Sequence, residues 1–313
     1  MTTWKVLITD GLSDKGIAIL STAAQVDNKP DISADDLLQA AGEYDALVVR
    51  GRTKVTAAVF EAAKKLKVVG RAGVGVDNID LTAARGHEVT VVNAPKSTSL
   101  AVAELALGMM FALARSIPKA DASMKQGQWL KKQLEGVELN GKTLGIVGMG
   151  NIGTAIAQKA APLGMKVIGF DTLVPAEEIR KRGAEPVSLP DLYAQSDFIT
   201  FHLPLTPESK GMVNGQSFAM MKHGVRIVDA ARGGIIDETA LLAALEQGQV
   251  AAAALDVYAS EPPGLTALVA HPNVVTTPHI GAQTEEAQDR AAEDIASEVL
   301  AALRGEPLRW KIV

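Results

Sequence analysis

Short apolar runs of four or five residues alternate along the chain with longer stretches in which apolar residues recur at helical spacing. In the first third, 5–9, 46–50, 67–70 and 90–93 read as strands. Between them 13–22, 34–41, 56–66 and 81–85 read as helices. Strands alternating with helices imply a parallel sheet covered on both faces. This part is expected to be a five-stranded doubly wound domain. A different pattern occupies 99–114, which is rich in Ala, Leu and Met around one interior charge, Glu104. Such a helix is buried nearly all round, between domains or at a subunit interface. Pro118 is expected to help close it. The stretch 121–134 is more polar and carries Trp129 and Lys131-Lys132.

The second half begins with the chain's most informative pattern. An apolar strand, 142–147, runs into Gly148-Met149-Gly150-Asn151-Ile152-Gly153. An Ala-rich helix follows over 154–161, then a second strand over 166–170 that ends at Asp171. Strand, glycine turn, helix, strand and an acid about 20 residues past the turn make a dinucleotide fingerprint. Gly148 permits the tight turn, Gly150 lets backbone approach a pyrophosphate, and Gly153 lets helix and strand pack closely. The helix N-terminus offers N–H groups and partial positive charge to the phosphates. Asp171 can accept from ribose hydroxyls and would repel a 2′-phosphate, so the expected cofactor is NAD rather than NADP. Further strands at 198–201, 226–229, 252–256 and 274–276 alternate with helices at 176–182 and 238–247. The last helix, 285–303, starts after this second unit is fully wound. It is expected to return to the first domain, which becomes discontinuous: 1–97 plus 284–313, against 98–283. The expected class is α/β, with two doubly wound parallel-sheet domains and a cleft between them.

Composition narrows the function. The 313 residues suit two domains, and 47% of them are hydrophobic, ample for two cores. A net charge of −5 argues against a general nucleic-acid binder. There is no cysteine, so disulfides, thiolate nucleophiles and cysteine metal sites are excluded, and no metal is expected. The N-terminus lacks a signal peptide's apolar core, and no apolar run approaches the ~20 residues of a membrane span. A soluble cytoplasmic protein without membrane partners is the expectation.

Ligands of such sheets sit beyond the carboxyl ends of the strands. There the sequence places Arg50-Gly51-Arg52, Ala72 to Val76, His202, Ala230-Ala231-Arg232, Asp256 with Glu261, and Pro278-His279-Ile280-Gly281. Arg, Glu and His at different strand ends suit hydride transfer at a 2-hydroxy acid. Arg232 offers a fork of donors to a carboxylate, better than a lysine would. His279 can exchange a proton near neutral pH. Glu261 beside the imidazole would orient it and support the imidazolium. Each also has a plain structural reading: His202 as a strand-end cap, Arg50 and Arg52 as solvent-facing charges, Lys131-Lys132 as a solvated face.

The chain resembles the D-isomer-specific 2-hydroxyacid dehydrogenases over nearly its whole length. The carriers are Val48 to Thr56, Val69 to Asp80, Val92 to Pro95, Leu139 to Gly148, His202 to Pro207, Ala231 to Asp237, Leu255 to Pro263 and Thr277 to Ala282. The resemblance implies a flavodoxin-like substrate domain and a Rossmann NAD domain, with Arg232, Glu261 and His279 as the catalytic set. It implies that the backbone of Val74, Gly75 and Val76 holds the substrate carboxylate. Arg50 and Arg52 fall on a loop used near a substrate phosphate. Trp129 and Lys131 match a segment that reaches a neighbouring subunit, the lysine directed at that phosphate. Gly148 to Gly153, including Asn151 and Ile152, with Asp171, His202, Thr206, Ala230, Arg232, Asp256, His279 and Gly281, match the cofactor site, Asp256 at the nicotinamide amide. Within the family the likeness is greatest to members that oxidise D-3-phosphoglycerate on the phosphorylated route to serine. A homodimer or larger homo-oligomer is expected.

Two departures stand out: Lys96-Ser97-Thr98 where the family often has Asn or Gly, and Asp229 where it usually has Asn. Longer members continue into a regulatory domain that binds serine; ending at Val313, this chain is expected to lack that feedback. Two rival functions remain. One is a hydroxypyruvate, glyoxylate or D-lactate-type reductase without a phosphate site, which the basic set Arg50, Arg52 and Lys131 argues against. The other is an NAD(H)-sensing binding protein of the corepressor kind, which the lack of interaction tails argues against.

Overall fold

The structure, a computed structural model, describes residues 4–313. In chain order the elements begin β1 (Trp4–Ile8), α1 (Asp14–Ser21), β2 (Ala24–Asn28), α2 (Ala34–Ala40), β3 (Ala46–Val49), α3 (Ala57–Ala62), β4 (Val68–Arg71), α4 (Leu81–Gly86) and β5 (Thr90–Asn93). Next come α5 (Ser99–Arg115), α6 (Ile117–Lys125), β6 (Thr143–Val147), α7 (Asn151–Ala160), β7 (Lys166–Phe170), α8 (Ala176–Lys181), β8 (Glu185–Pro186), α9 (Leu189–Gln195) and β9 (Phe198–Phe201). The chain ends with α10 (Gly215–Met220), β10 (Val225–Asp229), α11 (Glu238–Glu246), β11 (Val250–Leu255), β12 (Val274–Thr276) and α12 (Glu285–Arg304). Two compact units result: residues up to Thr98 with Ala282–Val313, and Ser99–Gly281.

The first unit is a parallel sheet in the order β2-β1-β3-β4-β5. Strand alternation sorts its core into two layers. Val6, Ile8, Val48 and Val68 face one side, with Ile295 and Val299 of α12; Leu7, Leu47, Val49 and Val69 face the other, with Leu37 and Phe60. Helix α12 is therefore part of this core. It lies so close to β4 that a Cβ on Gly70 would come within 2.5 Å of Val299. Within α12 the buried carboxylate of Glu298 takes hydrogen bonds from Arg309 N, Arg309 Nε and Trp310 N, which follow the helix, at 2.9–3.1 Å. The final residues then pair with β5, where Ile312 N donates to Val91 O.

The second unit is a parallel sheet in the order β12-β11-β10-β9-β6-β7-β8. Its strand order reverses beside β6, between β9 and β7, so the carboxyl end of β6 is the topological switch point. Helix α5 supplies one side of its core through Ala103, Ala106, Met109 and Met110.

Five elements had no counterpart in the sequence reading: β2, α6, β8, α9 and α10. β2 is the expected fifth strand, which the sequence did not locate; it is an edge strand, and Gln25 and Asn28 face solvent. β8 is two residues long at the other unit's edge. Pro118 opens α6 rather than only closing α5: the break falls at Ser116, in the left-handed region at φ 49°, and Pro118 sits in α6's first turn, where its missing N–H costs nothing. Among the described residues no single helix is long and apolar enough to cross a membrane.

Candidate active site

At the switch point the glycine turn makes a cradle. Gly148 has φ +99°, and a Cβ there would lie 2.3 Å from His202 O. A Cβ on Gly150 would meet no protein atom within 4 Å, so glycine leaves that space open where α7 begins. No side chain caps α7, and its first turn faces that space with the positive end of the helix. The cradle fits a dinucleotide pyrophosphate. Asp171 follows β7 as its acid. One carboxylate oxygen accepts from Met149 N at 2.8 Å and the other from Leu173 N and Val174 N. The carboxylate is thus fixed beside the turn, and its further lone pairs can take ribose hydroxyls.

Beyond β11 the geometry centres on His279. Its Nδ1 lies 2.7 Å from Glu261 Oε2, and Glu261 Oε1 accepts from Tyr258 N at 3.1 Å. Glu261 is therefore held by backbone while it holds the imidazole, which leaves Nε2 as the ring's outward nitrogen. His279 itself has φ +52°, an unusual conformation for a side chain with a Cβ. Asp256 fixes the loop that imposes it. This buried carboxylate accepts from Thr277 Oγ1 at 2.5 Å, Ile280 N at 2.8 Å and Gly281 N at 2.8 Å. Thr277 O also receives the Tyr258 hydroxyl at 3.0 Å.

Arg232 lies on the turn after β10. Its Nη1 donates to Ala231 O at 2.7 Å, and Ala231 N donates to the buried Asp229 at 2.9 Å. Burial, the largest influence on Asp229, pushes its carboxyl up to about 7, against the pull of Ala231 N and Arg232. His202 follows β9. Its ring is buried, with Nε2 2.7 Å from Thr200 Oγ1 and no partner for Nδ1, and desolvation lowers it to about 3. It is neutral at physiological pH, and its backbone abuts the glycine turn. Thr206 is tied to Ser209: Thr206 N donates to Ser209 Oγ at 2.7 Å, and Ser209 N donates to Thr206 Oγ1.

In the first unit, the loop after β4 has its carbonyls anchored. Gly73 O accepts from Ala94 N, Val74 O from Asn93 Nδ2 at 2.7 Å, and Val76 O from Ile79 N. The loop after β3 is gripped by Asp10, which accepts from Arg50 N and Thr53 N, and by Asn78 Nδ2, which donates to Arg50 O and Thr53 O. The two arginines on it differ. Arg50 Nη2 donates to Gln283 Oε1 at 3.1 Å. Arg52 donates to the carbonyls of Thr9, Pro30 and Ile32 and lies 3.2 Å from Asp10. The Arg52 guanidinium thus ties three backbone segments together while its side chain stays half exposed. In the second unit, Trp129 is 77% exposed, and Lys131 lies in an exposed short turn. Sequence reasoning gave no role to Asp10 or Asn78, which hold the loop after β3 through its backbone, Asp10 also lying 3.2 Å from Arg52.

The model of the D-isomer specific 2-hydroxyacid dehydrogenase NAD-binding domain matches residues 107–281. The chain is 48% identical over 305 residues to D-3-phosphoglycerate dehydrogenase of Homo sapiens, covering 97% of this chain and 57% of that protein. It is 47% identical over 303 residues to the protein of that name from Methanocaldococcus jannaschii, covering 96% and 58%. It thus spans little more than half of these relatives. Among solved structures, a glyoxylate reductase from Paecilomyes thermophila superposes with a TM-score of 0.90 at 31% identity, covering 100% of this chain and 99% of that one. The chain belongs to the D-isomer specific 2-hydroxyacid dehydrogenase family, and its second unit carries that family's NAD-binding domain.

Proposed function

We propose that the protein oxidises D-3-phosphoglycerate with NAD, giving 3-phosphohydroxypyruvate. The observation that carries this is the His279–Glu261 pair, held by Asp256 and backbone, on the same unit as Arg232 and the glycine cradle. Bound NAD would take the hydride from C2. Nε2 of His279 removes the hydroxyl proton, and Glu261 supports the imidazolium that results. Arg232 holds the carboxylate and the developing C2 oxygen. In the first unit, the Val74–Val76 backbone, with the carbonyls of Val74 and Val76 taken up by Asn93 and Ile79, suits an anion, and Arg50 is the proposed holder of the phosphate. Gly148, Gly150, Asn151, Ile152 and Gly153 bind the pyrophosphate, and Asp171 the ribose. His202, Thr206, Ala230, Asp256 and Gly281 contribute to the cofactor site chiefly through the backbone they fix.

The likeness to a glyoxylate reductase and the engagement of Arg52 keep a second reading alive, a reductase of an unphosphorylated 2-oxo acid. The deciding experiment follows NADH oxidation with 3-phosphohydroxypyruvate, hydroxypyruvate, glyoxylate and pyruvate at equal concentration. A preference of about 100-fold for the phosphorylated acid, about 2.7 kcal/mol, is expected. Equal or better turnover of an unphosphorylated acid would overturn the substrate. A homo-oligomer is also proposed, because Phe111, Ile117, Met124 and Trp129 are exposed on one unit. Lys131 then lies on a segment suited to reaching a neighbouring copy. Sedimentation as a monomer would contradict both.

A further inference from the structure

Asp229 closes β10, and Asp256 follows the neighbouring strand β11, with Asp256 N donating to Asp229 O at 2.8 Å. Both side chains are buried, and they are held differently. Asp256 takes two amide bonds and one hydroxyl bond from the loop at Thr277 to Gly281. Asp229 takes its hydrogen bond from Ala231 N, while Arg232 Nη1 donates to the carbonyl of the same Ala231. The acid and the arginine therefore grip one residue by its two polar groups.

The charged groups around Asp229 are few. Arg232 favours its ionised form. Asp256 from β11 and Glu238 from α11 oppose it; the Glu238 carboxylate is fixed by Ala259 N at 2.7 Å. From β9 comes His202, neutral and buried. Helix α5, which also packs on β10, brings Glu104, paired with Lys159 at 3.4 Å, and Arg115. The proton on Asp229 is accordingly held into the neutral range.

We propose that Asp229 is a proton-linked positioning residue for Arg232. As the acid it draws none of the guanidinium's charge away from a bound carboxylate. As the carboxylate it draws on that charge through the Ala231 turn. This rests on the reading of Arg232 as the carboxylate holder. Carboxylate binding at Arg232 and ionisation of Asp229 then compete, and the competition is reciprocal. Anion affinity falls as pH rises through neutrality, and binding takes up a proton.

The test uses the full chain with NADH and oxamate, a carboxylate that accepts no hydride. Calorimetry is run in a His279→Ala background, which removes the imidazole's own titration, with and without Asp229→Asn. Asparagine keeps an acceptor for Ala231 N. With Asp229 present, the oxamate Kd should rise ~10-fold between pH 6 and 8.5. With Asp229→Asn added it should stay within about 2-fold. Carboxyl-detected NMR of the wild-type chain should show Asp229 titrating near neutrality, with its midpoint raised by oxamate. The same pH slope in both backgrounds, or an Asp229 midpoint in the ordinary carboxylate range, overturns the proposal and leaves the Arg232 reading intact. No oxamate binding at any pH overturns both.

Discussion

Asp10 in the first unit and Asp256 in the second are buried carboxylates just past the ends of β1 and β11, and each braces a loop from another part of its sheet. Asp10 accepts from Arg50 N at 2.7 Å, Thr53 N at 3.1 Å and Thr53 Oγ1 at 2.5 Å. Asp256 accepts from Thr277 Oγ1, Ile280 N and Gly281 N. The braces are alike and the outcomes differ. At Asp10 one cation of the loop is absorbed: Arg52 is sewn to three carbonyls and to Asp10 itself, leaving Arg50 to face other polar groups. At Asp256 the brace uses amides on the far side of His279, so the imidazole is forced outward against Glu261. A strand-end acid therefore marks a loop that must hold its shape. Whether the loop presents chemistry depends on where its charged side chains find their partners.

The largest effect expected from breaking this contrast is at His279. Replacement by Ala should lower kcat by ~10²–10⁴-fold with a smaller change in KM; most of the turnover surviving would remove His279 from proton transfer. Asp256→Ala strips three hydrogen bonds from a buried site and should cost about 2–4 kcal/mol of stability by denaturant unfolding. A loss under 1 kcal/mol would show that the 277–281 loop holds itself.

The two arginines sharpen the first half of the contrast. Arg50→Ala should raise KM for the phosphorylated substrate by ~10–100-fold and leave glyoxylate unaffected. Arg52→Ala should cost about 1–3 kcal/mol of stability with the phosphate preference kept. Reversed results would restore Arg52 as the ligand contact. Asp229 supplies a pH test. Its folded-state value near 7 lies above the unfolded value of about 4, so its proton is held longer when folded. Stability is therefore full below about pH 4 and declines as pH rises towards 7. Asp229→Asn should abolish that slope, gaining on the order of 1–4 kcal/mol relative to wild type between pH 4.5 and 8. Parallel stability curves would refute the raised proton affinity. The smallest effect is at Asp171, where Ala should reduce the preference for NAD over NADP by roughly 10-fold, about 1.4 kcal/mol; an unchanged ratio counts against the ribose role.

The glycine turn was legible because its requirements are local: three glycines, an apolar strand on either side and an acid at a set distance. A strand buried on both faces, such as β3, announced itself as a continuous apolar run. β2 did not, because an edge strand half in water carries polar residues like Gln25 and Asp27. Pro118 carried two meanings, a stop and a start, and only the backbone at Ser116 separates them. Arg232, Glu261 and His279 could be named from strand ends and from resemblance, and the geometry that joins Glu261 to His279 agrees with the roles proposed. The carbonyl partners of Arg52 could not be read from the sequence, since any sequence has backbone carbonyls. Asp229 stood out as a departure, and its consequence came from what surrounds it rather than from its identity.

The first unit's dependence on α12 orders events on the ribosome. Every residue of the second unit has left the peptidyl-transferase centre before Ile295 and Val299, which complete the first unit's core, are made. The residues of the first unit up to Thr98 are synthesised before the second unit and completed after it. Until then the side of their sheet that α12 covers, with Val6, Ile8, Val48 and Val68, is open to chaperones or to misassociation. Nascent chains stalled soon after Gly281 emerges should show a protease-resistant second unit and a first unit still cut at its sheet, and early protection of both would mean that the N-terminal sheet folds without its last helix.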